Sequence, residues 1–308
     1  MDVGPVSSAP EVSAGDPVRV TAVPRVAGVA QPRDAPRYSF VDVERRGSIL
    51  IALAAVAVLA LVMLRWRGLL ATLGVLLSLF VLVRFIVPAL LDGRPAILVA
   101  LVGSLAVMFV TVTLTNGLGA QTMAAALGIT ATLLLACGLA AAGVGLASLD
   151  GRSDDLALAL AAGPNHGVSL TGVVLAGMII GALGVLADTA VTQASAVMAL
   201  RRADHSLSGR QLYRAALIVG RDHLSATIHT LVLAYAGTVL TVLLLLSASG
   251  ATTITALNSP ELAEPIVATF VGCLALLVAV PLTTGLASIF IGRLPPALLP
   301  AGHHHHHH

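Results

Sequence analysis

Four aspartate and histidine side chains lie inside long apolar runs in the second half of the chain, where a charge is costly. They are Asp188, Asp222, His223 and His229. Moving such a group into hydrocarbon costs about 2.5–3.5 kcal/mol on insertion scales, so each one needs a physical reason. A carboxylate beside a second carboxylate or a histidine can bind and release a proton. Residues of this kind in apolar helices are typical of a proton relay in a transporter or pump.

One face of the helix predicted around Asp188 carries small and polar residues at spacings of three and four. Its members are Gly177, Gly181, Gly184, Asp188, Thr192 and Ser195. This spacing places side chains above one another on a helix. The glycines, two of which form a GxxxG pair, are expected to pack against another helix. The hydroxyl residues are expected to line a path for a proton.

The following helix supplies a second polar set at a similar depth. Counting inward from Leu212 at 1.5 Å per residue puts Asp222 about 15 Å deep, close to the middle of a bilayer. The other polar residues continue along two adjacent faces, with His229 on the face of Asp222 and with His223, Thr227 and Thr230 on the next. We predict that Asp188 binds a proton and that Asp222, His229 and His223 are its relay partners. Thr227 and Thr230 would line the same path.

Structural explanations compete with this prediction. Asp188 could cap a bent helix or pair with Arg221. The seven-residue spacing between Asp222 and His229 recurs by chance in helices, and His223 could simply bond a backbone carbonyl. The residue pattern leaves the proton relay and these structural explanations open.

The composition excludes an ordinary water-soluble enzyme. The chain of 308 residues is 57% hydrophobic and only 10% charged, against about 25% charged in a soluble domain. All 17 basic residues are arginine, and the net charge of +2 is too small and scattered for a nucleic-acid partner. Six of the ten histidines form the terminal run His303–His308, a purification tag. Of the other four, His166 and His205 fall in loops.

Hydropathy predicts an all-α polytopic membrane protein, because about 20 apolar residues cross the hydrocarbon core. The seven predicted spans are 47–64, 68–91, 95–115, 119–149, 169–200, 212–247 and 263–291. Residues 1–46 contain six of the fifteen prolines and are predicted to be a mostly disordered extracytoplasmic tail, with a short extended stretch near 17–23. The transmembrane domain is predicted over 47–292, followed by a tail with the His tag over 293–308.

Arginine placement predicts the orientation in a bacterial cytoplasmic membrane. Arg201, Arg202, Arg210 and Arg214 crowd one loop, which the positive-inside rule puts in the cytoplasm. Counting spans from this loop puts the N-terminus outside and the C-terminus inside. The arginines before the first span conflict with this count, but the later loops agree with one another.

Common catalytic and cofactor-binding motifs are absent. The chain has no GxxxxGK[ST], HExxH, GxSxG or CxxC pattern. Cys137 and Cys273 each lie in an apolar run and are predicted to be packing residues. The spacing of the four intramembrane Asp and His residues matches no established set of metal ligands. We therefore predict no catalytic residue, no bound metal and no cofactor.

Three stretches resemble the YibE/F family of bacterial membrane proteins. They are GMIIGALGVLADTAVTQASAV at 177–197, GRDHLSATIHTLVLAYAG at 220–237 and YSFVDVERR at 38–46. The resemblance covers residues 15–292 and implies a polytopic membrane protein. It carries no settled biochemical activity.

A more distant likeness is to SecD and SecF of the RND superfamily. It depends on Asp188, on the basic loop 201–214 and on the pattern T-L-x-L-x-Y-x-G that begins at Thr230. A membrane aspartate serves proton-motive-force coupling in those proteins, so the likeness implies the same role for Asp188. The large extracytoplasmic domains of RND proteins have no counterpart here.

These observations favour a proton-coupled transporter or an energy-coupling membrane subunit of unknown substrate. One alternative is an intramembrane metal-dependent enzyme that uses the same Asp and His residues as ligands. Another is a non-catalytic scaffold that binds membrane proteins through its glycine-rich faces. The expected partners are the lipid bilayer and, through the small-residue faces at 177–184 and 138–145, a second copy or another membrane protein.

Overall fold

A computed structural model describes residues 13, 15–22, 38–153, 159–160, 163, 167–250 and 252–293. Most of the predicted tail 1–46, the tail beyond Arg293 and His166 lie outside these residues. The chain divides into two compact units, residues 1–69 and residues 70–308.

The first unit contains a two-stranded sheet and one long helix. Strand β1 (Val18–Ala22) lies where the sequence predicts an extended stretch, and it pairs antiparallel with β2 (Tyr38–Val43). Helix α1 (Arg46–Leu64) follows, and none of its side chains is buried. Between β2 and α1, Arg45 donates a 2.6 Å hydrogen bond to Asp42, which holds the pKa of that carboxyl below its usual value.

The second unit is helical. Its elements are α2 (Trp66–Val81, which begins just before the unit boundary), a π-helical turn (Leu82–Ile86), α3 (Val87–Leu91), α4 (Ala96–Asn116), α5 (Ala120–Leu146), α6 (Leu170–Ala203), α7 (Gly209–Thr238), α8 (Leu240–Ala248), α9 (Thr253–Leu257) and α10 (Pro260–Gly292). The π-helical turn precedes Pro88, which lacks the N–H that the Arg84 carbonyl would accept in a regular helix.

The predicted fold class is confirmed. Among the described residues, six helices are long and apolar enough to cross a membrane, and α7 with α8 makes a seventh if the bent pair is one span. This pair bends by 55°, whereas the sequence predicts one continuous span over 212–247. The break follows Gly237, a poor helix former, and Thr238, whose hydroxyl donates a 2.7 Å hydrogen bond to the Tyr235 carbonyl.

The core of the second unit lies where α5, α6, α7 and α10 meet. Helix α10 packs against the other three, while α5 and α4 both pack against α6. Fully buried side chains at these contacts include Leu133 on α5, Leu186 on α6 and Leu276 on α10. Small residues between them allow close backbone approach, as is typical of helix pairs in membranes. The bundle thereby holds α6 and α7 side by side in opposite directions.

Candidate functional site

Asp188 on α6 and His223 on α7 face each other across the contact between their helices. The distance from His223 Nε2 to Asp188 Oδ2 is 3.5 Å. The two atoms form an ion pair when His223 is protonated. The side chain of His223 is 29% exposed and that of Asp188 is 67% exposed, so Asp188 lies at the surface of the bundle and His223 is the more enclosed of the two.

A glycine on α7 allows this helix to come close to α6 beside a buried glutamine. Gln193 is fully buried and accepts a 2.9 Å hydrogen bond from the Thr284 hydroxyl on α10. A Cβ added to Gly220 on α7 would lie only 2.7 Å from Gln193 Oε1. Only a glycine therefore lets α7 approach here, and His223 follows Gly220 by three residues on the same helix.

Neither Gln193, Gly220 nor Thr284 is selected by the sequence analysis. The signal that could have found Gln193 is an amide inside an apolar run. It lies away from the polar face of Asp188, and only the packed bundle shows what that second face contacts.

The Gln193 side chain predicts a test of this contact. Its Nε2 atom is buried with no hydrogen-bond partner in the described part of the chain, which costs about 1–3 kcal/mol. We expect Gln193→Met, of similar volume, to leave the melting temperature in detergent unchanged or slightly raised. Gln193→Ala should lower it, because a cavity in a packed core costs about 2–5 kcal/mol. Equal melting temperatures for the two variants would contradict this account.

The turn between α6 and α7 is held by arginine and by a helix cap. Arg201 donates hydrogen bonds to the Leu207 carbonyl (2.8 Å) and to the Gly292 carbonyl at the end of α10 (3.3 Å). Ser208 and Gln211 form a capping box at the start of α7. In the same turn, hydrogen bonds from the Ser206 hydroxyl and N–H lower the pKa of the Asp204 carboxyl. Arg201 therefore has a structural role in addition to its use in predicting the membrane orientation.

The remaining polar residues of α7 lie mainly on its outer faces. Asp222, His229 and Thr230 are exposed. Thr227 donates a 2.8 Å hydrogen bond to the His223 carbonyl, and Thr230 donates a 3.0 Å hydrogen bond to its own helix. Their predicted roles in a relay stay predictions.

The predicted face of α6 contacts two different helices. Ser195 accepts a 2.6 Å hydrogen bond from Gln121 Nε2 on α5, and Thr192 is half-buried. A Cβ on Gly181 would lie 3.1 Å from the Tyr235 hydroxyl of α7, whereas one on Gly177 or Gly184 would meet nothing within 4 Å. The packing role predicted for these glycines stays a prediction.

The structure brings together two of the four intramembrane Asp and His residues. Among the ion pairs of the described residues, Asp188 pairs with His223 and not with Arg221. In that part of the chain, no three His, Cys, Asp or Glu side chains are grouped so that they could hold a metal ion. The geometry thus places one carboxylate beside one imidazole, and their role in proton exchange stays a prediction.

Long apolar helices and a polar pair between two of them define a polytopic membrane protein in contact with the lipid bilayer. Residues 52–293 match the family model described as YibE/F-like protein, and the chain belongs to this family. Searches of curated proteins and of solved structures gave no match. The likeness to SecD and SecF is not shown by these comparisons and stays a prediction.

Proposed function

We propose that this protein is a proton-coupled transporter or an energy-coupling subunit of the bacterial cytoplasmic membrane, in which Asp188 and His223 bind the transferred proton. The observation that carries this proposal is their 3.5 Å separation across two adjacent apolar helices. Protonation changes the charge of this pair between two helices, and a change of charge at a helix contact can favour one packing arrangement over another.

The face of α6 that carries Asp188 supports the proposal because it reaches a cavity. Gly184, Gly181 and Gly177 are exposed on this face toward the start of the helix, and Gly177 lines a cavity of about 590 Å³. Tyr235, Glu261 and Glu264 also line this cavity. Polar groups that line this cavity and a carboxylate on the same face of α6 suit a route for protons and water.

An infrared pH titration of tag-free protein tests the proposal. We expect a protonated-carboxyl band that titrates in the wild type and is lost in Asp188→Asn. Asp92→Asn is the matched control, because Asp92 is an exposed carboxylate just after α3. His223→Gln should change the titration of the Asp188 band by removing its partner.

Loss of the same band in the control, or a band that persists unchanged in Asp188→Asn, would contradict the assignment. A proton-dependent activity that survives in Asp188→Asn would equally remove Asp188 from the mechanism.

A scaffold is the second candidate function, because Gly177 and Gly184 have open space beside them. A partner helix could fill that space. Measuring the binding of the partner membrane protein to Gly184→Leu and to Asp188→Asn distinguishes the two candidate functions. A scaffold would lose its partner in Gly184→Leu and keep it in Asp188→Asn.

A further inference from the structure

A second cavity lies at the arginine-rich ends of the helices, between the start of α7 and the end of α10. It measures about 470 Å³. Its polar lining comes from Arg210 and Tyr213 on α7, and from Ser288 and Arg293 at the end of α10. The room comes from glycines: a Cβ on Gly292 would lie 3.5 Å from the Cα of Gly209.

The side-chain chemistry of this cavity suits an anion. Its lining contains two guanidinium groups and no acidic residue. Neither Arg210 nor Arg293 takes part in an ion pair among the described residues. Ser288 is 3% exposed, and its buried hydroxyl has no hydrogen-bond partner there. Planar guanidinium groups bind phosphate oxygens in a bidentate manner, and a hydroxyl can donate a further bond.

The helix ends around the cavity add to the positive potential. The N-terminus of α7 begins at Gly209, and a helix N-terminus favours a nearby negative charge. The opposing C-terminus of α10 carries negative partial charge on its last carbonyls. The Gly292 carbonyl accepts a hydrogen bond from Arg201, which offsets that charge beside the cavity.

Apolar side chains next to the cavity point to a lipid as the source of the anion. Ile289, which lines the cavity, is 50% exposed, and Phe290 beside it is 40% exposed. Basic pockets between transmembrane helices on the cytoplasmic side bind anionic lipid head groups, and this end of α7 follows the loop predicted to be cytoplasmic. Acyl chains can lie along these exposed residues while the phosphate enters the cavity.

We propose that Arg210, Arg293 and Ser288 bind the phosphate group of an anionic phospholipid between α7 and α10. This site is separate from the Asp188–His223 pair and does not depend on the proposed function.

Native mass spectrometry of the tag-free, delipidated protein with added phosphatidylglycerol tests this inference. We expect Arg210→Gln/Arg293→Gln to bind phosphatidylglycerol about tenfold more weakly or worse, since charge-assisted hydrogen bonds are lost. The matched control is Arg202→Gln/Arg214→Gln, which removes the same charge from exposed residues outside the cavity lining. The control should stay within about twofold of the wild type.

Ser288→Val tests the buried hydroxyl separately and should also weaken phosphatidylglycerol binding. The melting temperature without lipid checks that each variant folds. If Arg210→Gln/Arg293→Gln does not fold, Arg210→Lys provides a milder change. Unchanged binding in every cavity variant would overturn the proposal. So would equal binding of phosphatidylcholine, which removes the need for a net anion. Displacement of phosphatidylglycerol by inorganic phosphate at equal concentration would show that a free phosphate, not a lipid, is the ligand.

Discussion

Gly220→Leu is expected to change the titration of Asp188 as much as His223→Gln does, although it removes no ionisable group. A Cβ at this position would lie 2.7 Å from Gln193 Oε1 and 2.8 Å from Val280 Cγ1. Because Gln193 is fully buried, it has no space into which it can move. A leucine must therefore push α7 away from α6 and α10. His223 moves with α7, so its 3.5 Å contact with Asp188 is lost.

The infrared titration used for Asp188→Asn measures this effect. We expect the titration of the carboxyl band to change in Gly220→Leu, and the melting temperature to fall because overpacking costs about 1–3 kcal/mol or more. Ala226→Leu is the control, since Ala226 is exposed on the same helix. If Gly220→Leu keeps the wild-type band and titration, the close approach at Gly220 does not position the pair.

The second large effect is expected from Gly128→Leu, which acts on stability. Gly128 on α5 packs directly against Thr283 on α10: an added Cβ would lie 2.4 Å from Thr283 Oγ1 and 2.9 Å from its Cγ2. Thr283 is fully buried, and a β-branched side chain has few rotamers by which to avoid the clash. The helices must separate, so we expect a large loss of folded protein.

Size-exclusion chromatography and thermal unfolding in detergent measure that loss. Gly138→Leu is the matched control on the same helix, because Gly138 is exposed and an added Cβ would meet nothing within 4 Å. The control should be as stable as the wild type. Gly128→Ala should fall between them, with a loss of about 1–3 kcal/mol. Equal stability of the two leucine variants would show that α5 and α10 do not pack through Gly128.

The proposed proton site and the proposed lipid site should respond differently to Gly220→Leu and Asp188→Asn. Gly220→Leu moves α7 as a whole, so it is expected to weaken phosphatidylglycerol binding and also to change the titration of Asp188. Asp188→Asn leaves the packing of α7 unchanged and should affect proton binding alone. Measuring both ligands in both variants therefore separates a local loss of chemistry from a displaced helix.

The sequence by itself determines the class of the protein and most of its helices. An uninterrupted apolar run has to form hydrogen bonds within itself in a bilayer, so it becomes a helix whatever its neighbours are. The predicted spans agree with the helices for this reason. There are two local exceptions. Helix α7 ends at Thr238, within the predicted span 212–247. Strand β2 pairs with β1, from which residues 23–37 separate it in the chain.

The sequence by itself determines only part of the candidate site. Helical spacing selects Asp188 and His223, among other residues, as polar groups in apolar helices, because that spacing is a property of one helix. It predicts Asp222, His229 and His223 as partners of Asp188 and leaves pairing with Arg221 open. Only the packed structure decides for His223, since the rotation of α7 about its own axis is set by contacts between residues far apart in the chain.

Those contacts are steric and therefore invisible in a pattern of polarity. Gly220 fits against the buried Gln193, and Gly128 fits against Thr283. Each contact joins residues on different helices, and the pattern of one helix does not show which residue of another helix it meets. Composition and periodicity determine that this chain forms apolar helices able to span a membrane and which polar residues those helices carry. The matching of small to large side chains between helices decides which of those residues meet.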